Sequence, residues 1–470
     1  MAERRFRTVS GMEKAVDETP IDKLGANFLG RLLRPGDSDY DATRRVWNGM
    51  VDKRPALIAQ CAATEDVVAV VTFAHDHDLL VSVRGGGHNI AGKSVCEGGL
   101  MIDLSRMNRV SVDPDRRTAR VEGGAKLGDL DRATQAFGLA TTAGVVSTTG
   151  VGGLTLGGGM GRLGRKYGLA CDNLVSVEMV TADSRVLTVS AEENPDLFWA
   201  VRGGGANLGI VTFFEFRLHP VGPLVYGGVV VYPMKQGKDV LKRFHDYCRT
   251  APDELRAEAV LLTSADGDPV TAISICCIGP LAEAERIVQP LRNFGSPLAD
   301  SVAPTPYLDL QAAGDQIFPT GLCFYWKSHF VKDFSTDAID VTMAHFANVP
   351  SPRSVVILEQ YGGAVARIAP DATAFSHRDV QYDFFPASVW TDPADSERQI
   401  AWARGLWEAT KPFGTGGVYV NNLGDEGEDR VLAAYGVNYA RLAALKAKYD
   451  PGNFFRLNQN VKPRAQTSAK

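Results

Sequence analysis

Glycine is concentrated in two loops of this chain, and the first loop follows an apolar run that is typical of a strand. After Leu79–Val83 come Arg84, three consecutive glycines at 85–87, His88 and Asn89. Residues without a Cβ atom let the backbone turn tightly and approach a ligand closely, and successive N–H groups in such a loop form a concave surface that suits phosphate oxygens. The pattern predicts a ligand-binding loop. A glycine-rich hairpin turn with an exposed histidine is the alternative that these residues alone leave open.

The second loop is longer, with eight glycines among the eighteen residues between Gly144 and Gly161. So few side chains cannot form a core, whereas bare backbone can lie against a flat ligand. Valine, leucine and threonine are interleaved, which disfavours a disordered linker. Gly159, Gly161 and Gly164 also satisfy the Gly-x-Gly-x-x-Gly pattern of Rossmann sites. The apolar run before them is too short for the strand that such a site requires, so we predict a ligand cradle of another kind.

At 470 residues the chain is too long for one ordinary domain, and two are expected. A net charge of −5 gives no electrostatic case for binding nucleic acid or an anionic membrane, and no segment approaches the ~18 apolar residues of a membrane span. No secretory signal is visible, and the seven cysteines are scattered and odd in number, which predicts reduced thiols in the cytoplasm. No pair of cysteines or histidines has the spacing of a metal site.

Apolar periodicity predicts the elements around these loops. A strand over 55–60, a helix that begins at Thr64 and the strand over 79–83 form a βαβ unit. From residue 222 glycine becomes rarer, and strands with interleaved helices indicate an antiparallel sheet with helices on one face. A strand over 323–330 would place alternate side chains on opposite faces of this sheet.

The C-terminal region shows two further elements. Tyr419–Asn422 is predicted to be a strand. Tyr439–Tyr449 is predicted to be a helix that ends at Asp450-Pro451-Gly452, because proline cannot continue it and glycine favours the turn after it.

Four segments, spread over most of the chain, match motifs of a single protein family. They are Arg-Gly-Gly-Gly-His at 84–88, Tyr-Gly-Leu-x-x-Asp-Asn at 167–173, Asp-Leu-Phe-Trp-Ala-x-Arg-Gly-Gly-Gly at 196–205 and Asn-Phe-Phe at 453–455. These motifs resemble those of the berberine-bridge-enzyme-like oxidases of the vanillyl-alcohol-oxidase superfamily. The resemblance implies an α+β fold with a PCMH-type two-part FAD-binding domain plus a substrate domain, whose antiparallel sheet is covered by helices.

The resemblance also implies a division of the chain. Residues 1–50 form a lead-in, 51–221 the FAD-binding domain, 222–410 the substrate domain, and 411–470 a berberine-bridge-type segment that returns to the FAD domain. It further implies that these residues bind the cofactor: Arg84, Gly85, Gly86, Gly87, His88, Asn89, Ser94, Thr149, Gly152, Gly153, Thr155, Gly158, Asn173, Asn207, Ile210, Asn458 and Asn460.

By the same resemblance, FAD is attached covalently through His88. Many family members add a second bond through a cysteine, but Val146 stands at that position here, and Cys171 is predicted to be an ordinary buried thiol. A single covalent link is therefore expected. Thr149 stands at the family's oxygen gate, where a small residue favours access of dioxygen and hence an oxidase over a dehydrogenase.

The reaction implied is hydride transfer from an alcohol, sugar or amine carbon to flavin N5, with dioxygen reduced to hydrogen peroxide. A base must take the adjacent proton. In many relatives a tyrosine is this base, but Asn422 stands at that position here. Several residues are therefore candidates for the active site. They are Tyr325, Lys327, His377, Tyr419 and Asn422. A dehydrogenase or a secondary-metabolite cyclase that uses another acceptor, and a non-catalytic flavin-binding protein, are the alternatives.

Overall fold

The computed structural model describes residues 3–464. Two main sheets, two small two-stranded sheets and seven helices make up its N-terminal half. The strands are β1 (Glu3–Arg7), β2 (Glu13–Asp17), β3 (Arg31–Leu33), β4 (Leu57–Gln60), β5 (Val81–Arg84), β6 (Leu100–Asp103), β7 (Val110–Asp113), β8 (Thr118–Glu122), β9 (Leu139–Ala140), β10 (Leu174–Val180), β11 (Val186–Ser190), β12 (Ile210–Arg217) and β13 (His219–Pro220). The helices are α1 (Glu18–Ala26), α2 (Tyr40–Arg44), α3 (Thr64–Asp76), α4 (Leu127–Gln135), α5 (Val151–Leu156), α6 (Gly164–Tyr167) and α7 (Pro195–Val201). The two small sheets are β1-β2 and β9-β13.

The first main sheet has the strand order β3-β4-β6-β5, in which β4 and β5 each pair with β6 in parallel. Helix α3 connects β4 to β5, as the predicted βαβ unit requires, and buries Val67, Val70 and Val71 against this sheet. The second sheet is antiparallel, in the order β11-β10-β12-β8-β7. The two sheets are the two parts of the predicted PCMH-type domain, and they confirm that fold.

The second half contains one large sheet and eight helices. The strands are β14 (Leu224–Pro233), β15 (Leu255–Thr263), β16 (Pro269–Cys277), β17 (Ala299–Asp300), β18 (Ala303–Pro306), β19 (Cys323–Trp326), β20 (His329–Val331), β21 (Val355–Gln360) and β22 (Tyr382–Trp390). The helices are α8 (Gly237–Cys248), α9 (Leu281–Arg292), α10 (Tyr307–Ala312), α11 (Thr336–Phe346), α12 (Ala364–Arg367), α13 (Ser396–Thr410), α14 (Glu428–Tyr435) and α15 (Tyr439–Tyr449).

The large sheet is antiparallel, with the order β17-β14-β16-β15-β21-β22-β19; β18 also pairs with β14, and β20 with β22. Helices α8, α9, α11 and α13 supply buried apolar side chains to one face of it, among them Phe244, Val288 and Leu406. The other face turns toward the N-terminal half. The predicted strand over 323–330 is divided into β19 and β20, and the gap lies opposite Pro386, which has no N–H to donate to the ladder.

Two local predictions were wrong. Tyr419–Asn422 is not a strand: residues 420–422 form a short 3₁₀ turn, and the side-chain amide of Asn421 donates to the Leu154 carbonyl. The glycine-rich stretch 144–161 is not bare backbone throughout, since it contains the helix α5, which Val151 and Leu156 anchor in the core. Within residues 3–464, no helix has both the length and the apolar character needed to cross a membrane.

A buried ion pair fixes the C-terminal segment onto the first half of the chain. The ammonium of Lys446 lies 2.5 Å from the Asp450 carboxylate and also donates to the Asn207 and Phe455 carbonyls. Lys446 and Asp450 have side-chain exposures of 0% and 1%. The segment 453–461 is thereby held against the loop that contains Asn207.

Replacing Lys446 with methionine is expected to destabilise the protein by about 3–5 kcal/mol, since it leaves a buried carboxylate without its cation. Lys448→Met is the matched control, because that ammonium pairs with Asp196 at a side-chain exposure of 60%, and an exposed pair contributes at most about 1 kcal/mol. Thermal unfolding followed by circular dichroism measures both. Equal midpoints for the two variants would contradict the prediction.

Candidate active site

A cavity lies between the glycine loops of the first half and the free face of the large sheet. The C-terminal segment closes it from a third side. Its lining comprises Trp47, Val83, Gly85, Gly86, Gly87, His88, Asn89, Lys93, Ser94, Gly144, Val145, Val146, Thr149, Gly150, Gly153, Leu154, Leu156, Met160, Gly205, Ala206, Phe318, Trp326, Glu359, Phe385, Tyr419, Val420, Asn421, Asn422, Tyr435, Leu457, Asn458 and Gln459.

The two glycine loops contact each other through their main chains at the floor of this cavity. A Cβ atom on Gly86 would lie 2.2 Å from the nitrogen of Gly150, and one on Gly150 would lie 2.3 Å from the nitrogen of Gly86. Gly87 has a φ of +73°, which other residues rarely adopt. Glycine is required here because the backbones approach too closely for any side chain, and the hairpin-turn alternative is excluded.

The ring of His88 is half-buried at the cavity wall between two threonine hydroxyls. Its Nε2 lies 2.9 Å from Oγ1 of Thr148, and its Nδ1 lies 3.4 Å from Oγ1 of Thr149. Burial lowers the pKa of His88 to about 4, Lys126 lowers it further and Asp315 opposes the shift. At neutral pH the imidazole is therefore uncharged, and a ring nitrogen has a lone pair available for bonding.

Trp47, in the N-terminal lead-in, covers one face of this imidazole. Its ring is stacked on His88 with centroids 5.1 Å apart and planes at 18°, and on Phe324 of β19 with centroids 3.8 Å apart and planes at 16°. The indole N–H donates to the Phe318 carbonyl at 2.9 Å. Trp47 thus connects the histidine to the large sheet, a role for which no sequence motif gave a signal.

The structure brings many of the predicted cofactor residues together at the cavity. Those that line it are Gly85, Gly86, Gly87, His88, Asn89, Ser94, Thr149, Gly153 and Asn458. Their contacts with FAD stay predictions.

Other predicted cofactor residues lie behind this lining. They are Arg84, Gly152, Thr155, Gly158, Asn173, Asn207, Ile210 and Asn460. Three of them have clear structural roles. The Arg84 guanidinium pairs with Asp103 at 2.7 Å. Asn173 donates to the Tyr167 and Leu169 carbonyls, and Ile210 is part of an apolar core.

Asn207 supports the cavity indirectly. Its amide donates to the Gln459 carbonyl at 3.2 Å and its carbonyl oxygen accepts the N–H of Val461 at 2.9 Å. These bonds place the adjacent Asn458 at the cavity wall. Asn207 therefore positions the C-terminal segment, and its contact with FAD stays a prediction.

The large sheet presents a wall of alternate residues to the cavity. Trp326 of β19, Glu359 of β21 and Phe385 of β22 line it, together with Phe318 from the loop before β19. Alternation along this strand places Phe324 and Trp326 on one face and Tyr325 on the other, and the cavity lies on the tryptophan side.

Three of the five candidate bases therefore lie away from the cavity lining. The Tyr325 hydroxyl accepts a hydrogen bond from Arg404 on the helical face of the sheet. The Lys327 ammonium pairs with Glu426 at 2.5 Å, and His377 lies 2.8 Å from the Ala433 carbonyl. Each is engaged in a structural contact, and none is among the described residues that line the cavity. Their catalytic roles stay predictions.

The other two candidates, Tyr419 and Asn422, do line the cavity. The Tyr419 hydroxyl accepts the backbone N–H of Gly159 at 3.0 Å and of Met160 at 3.1 Å. Burial raises the pKa of Tyr419 far above its usual value, so it stays protonated. Asn422 has no ionisable group, and its amide donates to Asp383 at 2.7 Å.

Asp383 and Glu359 are the acidic residues that the sequence analysis missed. They are directly opposite each other on β22 and β21, with exposures of 0% and 9%. Burial raises the pKa of both carboxyl groups, well above the usual value for Asp383. The available signal was a carboxylate in each of two mostly apolar strands, Val355–Gln360 and Tyr382–Trp390.

The two carboxyl groups have different partners. Arg256 donates to Glu359 at 3.3 Å and forms a close ion pair with Glu258. Asp383 has the amide of Asn422 on one oxygen, and its Oδ1 is buried without a partner within the described residues. A carboxyl group without a contacting cation gains a proton more readily than one beside a guanidinium.

The lining fits a flavin dinucleotide. The Ser94 hydroxyl and the Oδ1 of Asn458 are buried without a partner among residues 3–464, which leaves polar atoms free for a ligand. A Cβ atom on Gly153 would have no neighbour within 4 Å, so the second glycine loop leaves open space at the cavity. The neutral His88 completes a set of groups suited to a bound flavin, and the fold and cavity together define a PCMH-type flavoprotein.

Comparison with known proteins agrees with this assignment to the flavoproteins. A sequence profile described as "FAD binding domain" matches residues 55–190, and one described as "Berberine and berberine like" matches residues 418–462. An FAD-linked oxidoreductase of Dictyostelium discoideum is 34% identical over 448 residues, which cover 94% of this chain and 97% of that protein. The chain belongs to the berberine-bridge-enzyme-like family of FAD-linked oxidoreductases.

Two oxidases are among the similar proteins. The (R)-6-hydroxynicotine oxidase of Paenarthrobacter nicotinovorans is 33% identical, with 93% of this chain and 97% of that protein covered. The crystal structure of 6-hydroxy-D-nicotine oxidase from Arthrobacter nicotinovorans has a TM-score of 0.87 at 31% identity, covering 93% of this chain and 99% of that chain. The BBE-like 1 protein of Physcomitrella patens has a TM-score of 0.86 at 26% identity, covering 95% and 100%.

Proposed function

We propose that this FAD-linked oxidoreductase is an oxidase that holds its flavin through one covalent bond, to His88. The observation that supports this most directly is the half-buried, neutral imidazole at the cavity wall, with both nitrogens beside threonine hydroxyls. Val146 lines the cavity at the position of the family's second attachment. All seven cysteines are buried, and none is among the described residues that line the cavity.

When bound, FAD supplies the two-electron acceptor, while the protein supplies position and electrostatics. We propose that the wall formed by Trp326 and Phe385 holds a substrate carbon against the cofactor side of the cavity, at the ~3–3.5 Å that hydride transfer requires. Asp383 takes the proton from the adjacent oxygen or nitrogen through one water molecule, while the Asn422 amide holds the carboxylate in place. Tyr419 holds the loop at Gly159 and Met160 in place and does not change its protonation.

Dioxygen as the acceptor is supported by Thr149 and by the relatives. This small residue lines the cavity beside His88. Relatives of the chain include proteins named as an (R)-6-hydroxynicotine oxidase and a chitooligosaccharide oxidase. We propose that this chain likewise oxidises a small alcohol, sugar or amine and releases hydrogen peroxide. A dehydrogenase or cyclase with another acceptor is the alternative.

The acceptor can be tested without knowing the substrate. Holoenzyme is reduced with one equivalent of dithionite under argon and then mixed with buffer that contains dioxygen. An oxidase recovers its oxidised flavin spectrum within seconds and releases one hydrogen peroxide per flavin. Reoxidation over many minutes, together with rapid reoxidation by a dye such as dichlorophenolindophenol, would instead establish the dehydrogenase.

Trp47→Ala is expected to slow covalent attachment of FAD by about two- to tenfold, the effect of losing one aromatic contact. The alanine leaves the His88 ring free to rotate away from its hydroxyl partners. Flavin fluorescence of the denatured polypeptide in a gel, followed over time after FAD is added to apoprotein, measures the rate. Trp47→Phe retains a stacking ring and should attach FAD at nearly the parental rate. An alanine variant that attaches FAD as fast as the parent would contradict this role.

A further inference from the structure

A short segment in the second half of the chain contacts both groups that flank His88. It comprises residues 311–318, which are the end of α10 and the turn after it, and we call it the clamp. We propose that the clamp sets the rate of covalent flavin attachment, because it holds the loop 144–149 and the Trp47 ring against His88. Asp315 is its main positioning residue. The inference rests on the proposed function, since it concerns how the proposed link to His88 forms.

Asp315 binds the loop that carries the two threonines. Its Oδ1 accepts the main-chain N–H of Ser147 at 2.7 Å, and its Oδ2 accepts a hydrogen bond from the Ser147 hydroxyl. The next residue is Thr148, whose hydroxyl lies 2.9 Å from Nε2 of His88. Hydrogen bonds to a carboxylate are stronger than neutral ones, and two of them fix orientation as well as position. A carboxylate from the other half of the chain therefore locates the hydroxyl beside His88.

Two further contacts hold the clamp against the same loop. The Gln311 side-chain amide donates to the Gly144 carbonyl at 3.1 Å. A Cβ atom on Gly314 would lie 2.3 Å from the Val145 carbonyl oxygen, so the two main chains are in direct contact at this point. Together with the bonds from Asp315 to Ser147, these contacts fix the loop at three of its first four residues.

The clamp also reaches the aromatic side of His88. The carbonyl of Phe318, its last residue, accepts the indole N–H of Trp47 at 2.9 Å, and that indole is stacked on the imidazole. Just beyond the clamp, the N–H of Gly321 donates to the Trp47 carbonyl at 2.9 Å. A movement of residues 311–318 would therefore displace the hydroxyl and the indole together.

Attachment depends on how the imidazole is held. A ring nitrogen of His88 forms a bond to a methyl carbon of the flavin, while one C–H bond of that methyl group and the imidazole N–H bond are lost. Dioxygen takes the two electrons and two protons as hydrogen peroxide. The rate of such a bond-forming step falls steeply when the reacting atoms are misaligned. The clamp forms no bond to the flavin in this step and acts only through the groups that orient His88.

Addition of FAD to full-length apoprotein tests the role of Asp315. Asp315→Ala removes both acceptors and should lower the attachment rate at saturating FAD by about tenfold or more, the effect of losing hydrogen bonds to a charged group. Asp315→Asn should stay within about threefold of the parent, because its amide can accept the Ser147 N–H and donate to the Ser147 hydroxyl. Flavin fluorescence of the denatured polypeptide in a gel, over a series of FAD concentrations, measures the rate.

Gly314→Ala tests the close approach while Asp315 stays intact. The added methyl group meets the Val145 carbonyl, so it should displace the clamp and slow attachment by a similar factor. Asp309→Ala is the matched control, because Asp309 is an exposed carboxylate in the first turn of α10. That variant should attach FAD at the parental rate.

Hydrogen–deuterium exchange separates positioning from a general loss of structure. In Asp315→Ala apoprotein, peptides that cover residues 144–149 should exchange at least about tenfold faster, since the Ser147 N–H loses its acceptor. Peptides from the large sheet should exchange as in the parent. The Kd of FAD before attachment should change by less than about threefold, because Asp315 is not among the described residues that line the cavity.

The outcomes distinguish this inference from the proposed function. Parental attachment in Asp315→Ala, no rescue in Asp315→Asn, an equal loss in Asp309→Ala, or a weaker Kd of FAD with an unchanged saturating rate would each overturn the role of the clamp. In all four cases the flavin of the parent remains covalently bound. Flavin released by acid from the parent itself would instead refute the link to His88, and the inference with it.

Discussion

His88→Ala yields a protein whose flavin is released by acid, whereas the parent protein remains yellow after precipitation. The expected change is complete, from one covalently bound FAD per chain to none, because the only neutral imidazole at the cavity wall among the described residues is removed. Trichloroacetic acid precipitation, followed by the absorbance of pellet and supernatant near 450 nm, measures it. The glycine loops remain intact, so the variant should still bind FAD reversibly.

Cys171→Ala is the matched control for this prediction. The thiol is buried within an apolar cluster, and burial raises its pKa well above the usual value, so it is unsuited to form a second bond. The variant should retain all of its flavin in the pellet, with an unchanged spectrum. Flavin in the supernatant of the parent protein, or a spectral change in Cys171→Ala, would disprove the single link to His88.

Asp383→Asn is expected to lower the rate of flavin reduction by substrate by about 10²–10⁴-fold, the usual contribution of a general base. The substitution preserves the shape of the side chain, and the carbonyl oxygen of the introduced amide can still accept the hydrogen bond from Asn422. Anaerobic stopped-flow measurements of flavin bleaching give the rate, and the binding constant of the substrate should change far less. A variant that reduces its flavin at the parental rate would exclude Asp383 as the proton acceptor.

The pH dependence provides a second readout. A base must be deprotonated to act, and burial raises the pKa of Asp383 well above its usual value, with further repulsion from Glu359. In the parent protein, the rate of flavin reduction should therefore increase with pH. This increase should occur well above pH 4, near which an ordinary carboxyl group titrates. Asp383→Asn should lose this rise, whereas Tyr325→Phe should retain it.

Much of the fold and the cofactor side of the site could be predicted from local sequence. Gly86 and Gly150 are required because two backbones meet there too closely for any side chain, and Gly87 because its φ is +73°. Such requirements appear in the sequence as clusters of glycine. The α+β architecture with its two-part flavin domain followed from strand and helix periodicity together with the family motifs. The prediction of a single covalent link was equally local, since it depends on one motif position, where valine (Val146) stands in place of cysteine.

The substrate side could not be predicted in this way, because it depends on contacts between distant segments. A period of two shows that Trp326 and Tyr325 lie on opposite faces of β19, but only the packing of the helices decides which face is left for a ligand. Asp383 and Glu359 become partners through strand pairing, and Trp47 meets His88 across 41 positions of sequence. The sequence by itself determined the two glycine-rich loops and the histidine beside the first of them, since the lack of Cβ atoms and the family motif are properties of a few consecutive residues. The tertiary structure alone decided which carboxyl groups and rings face the cavity, since burial and pairing are set by elements far apart in the chain.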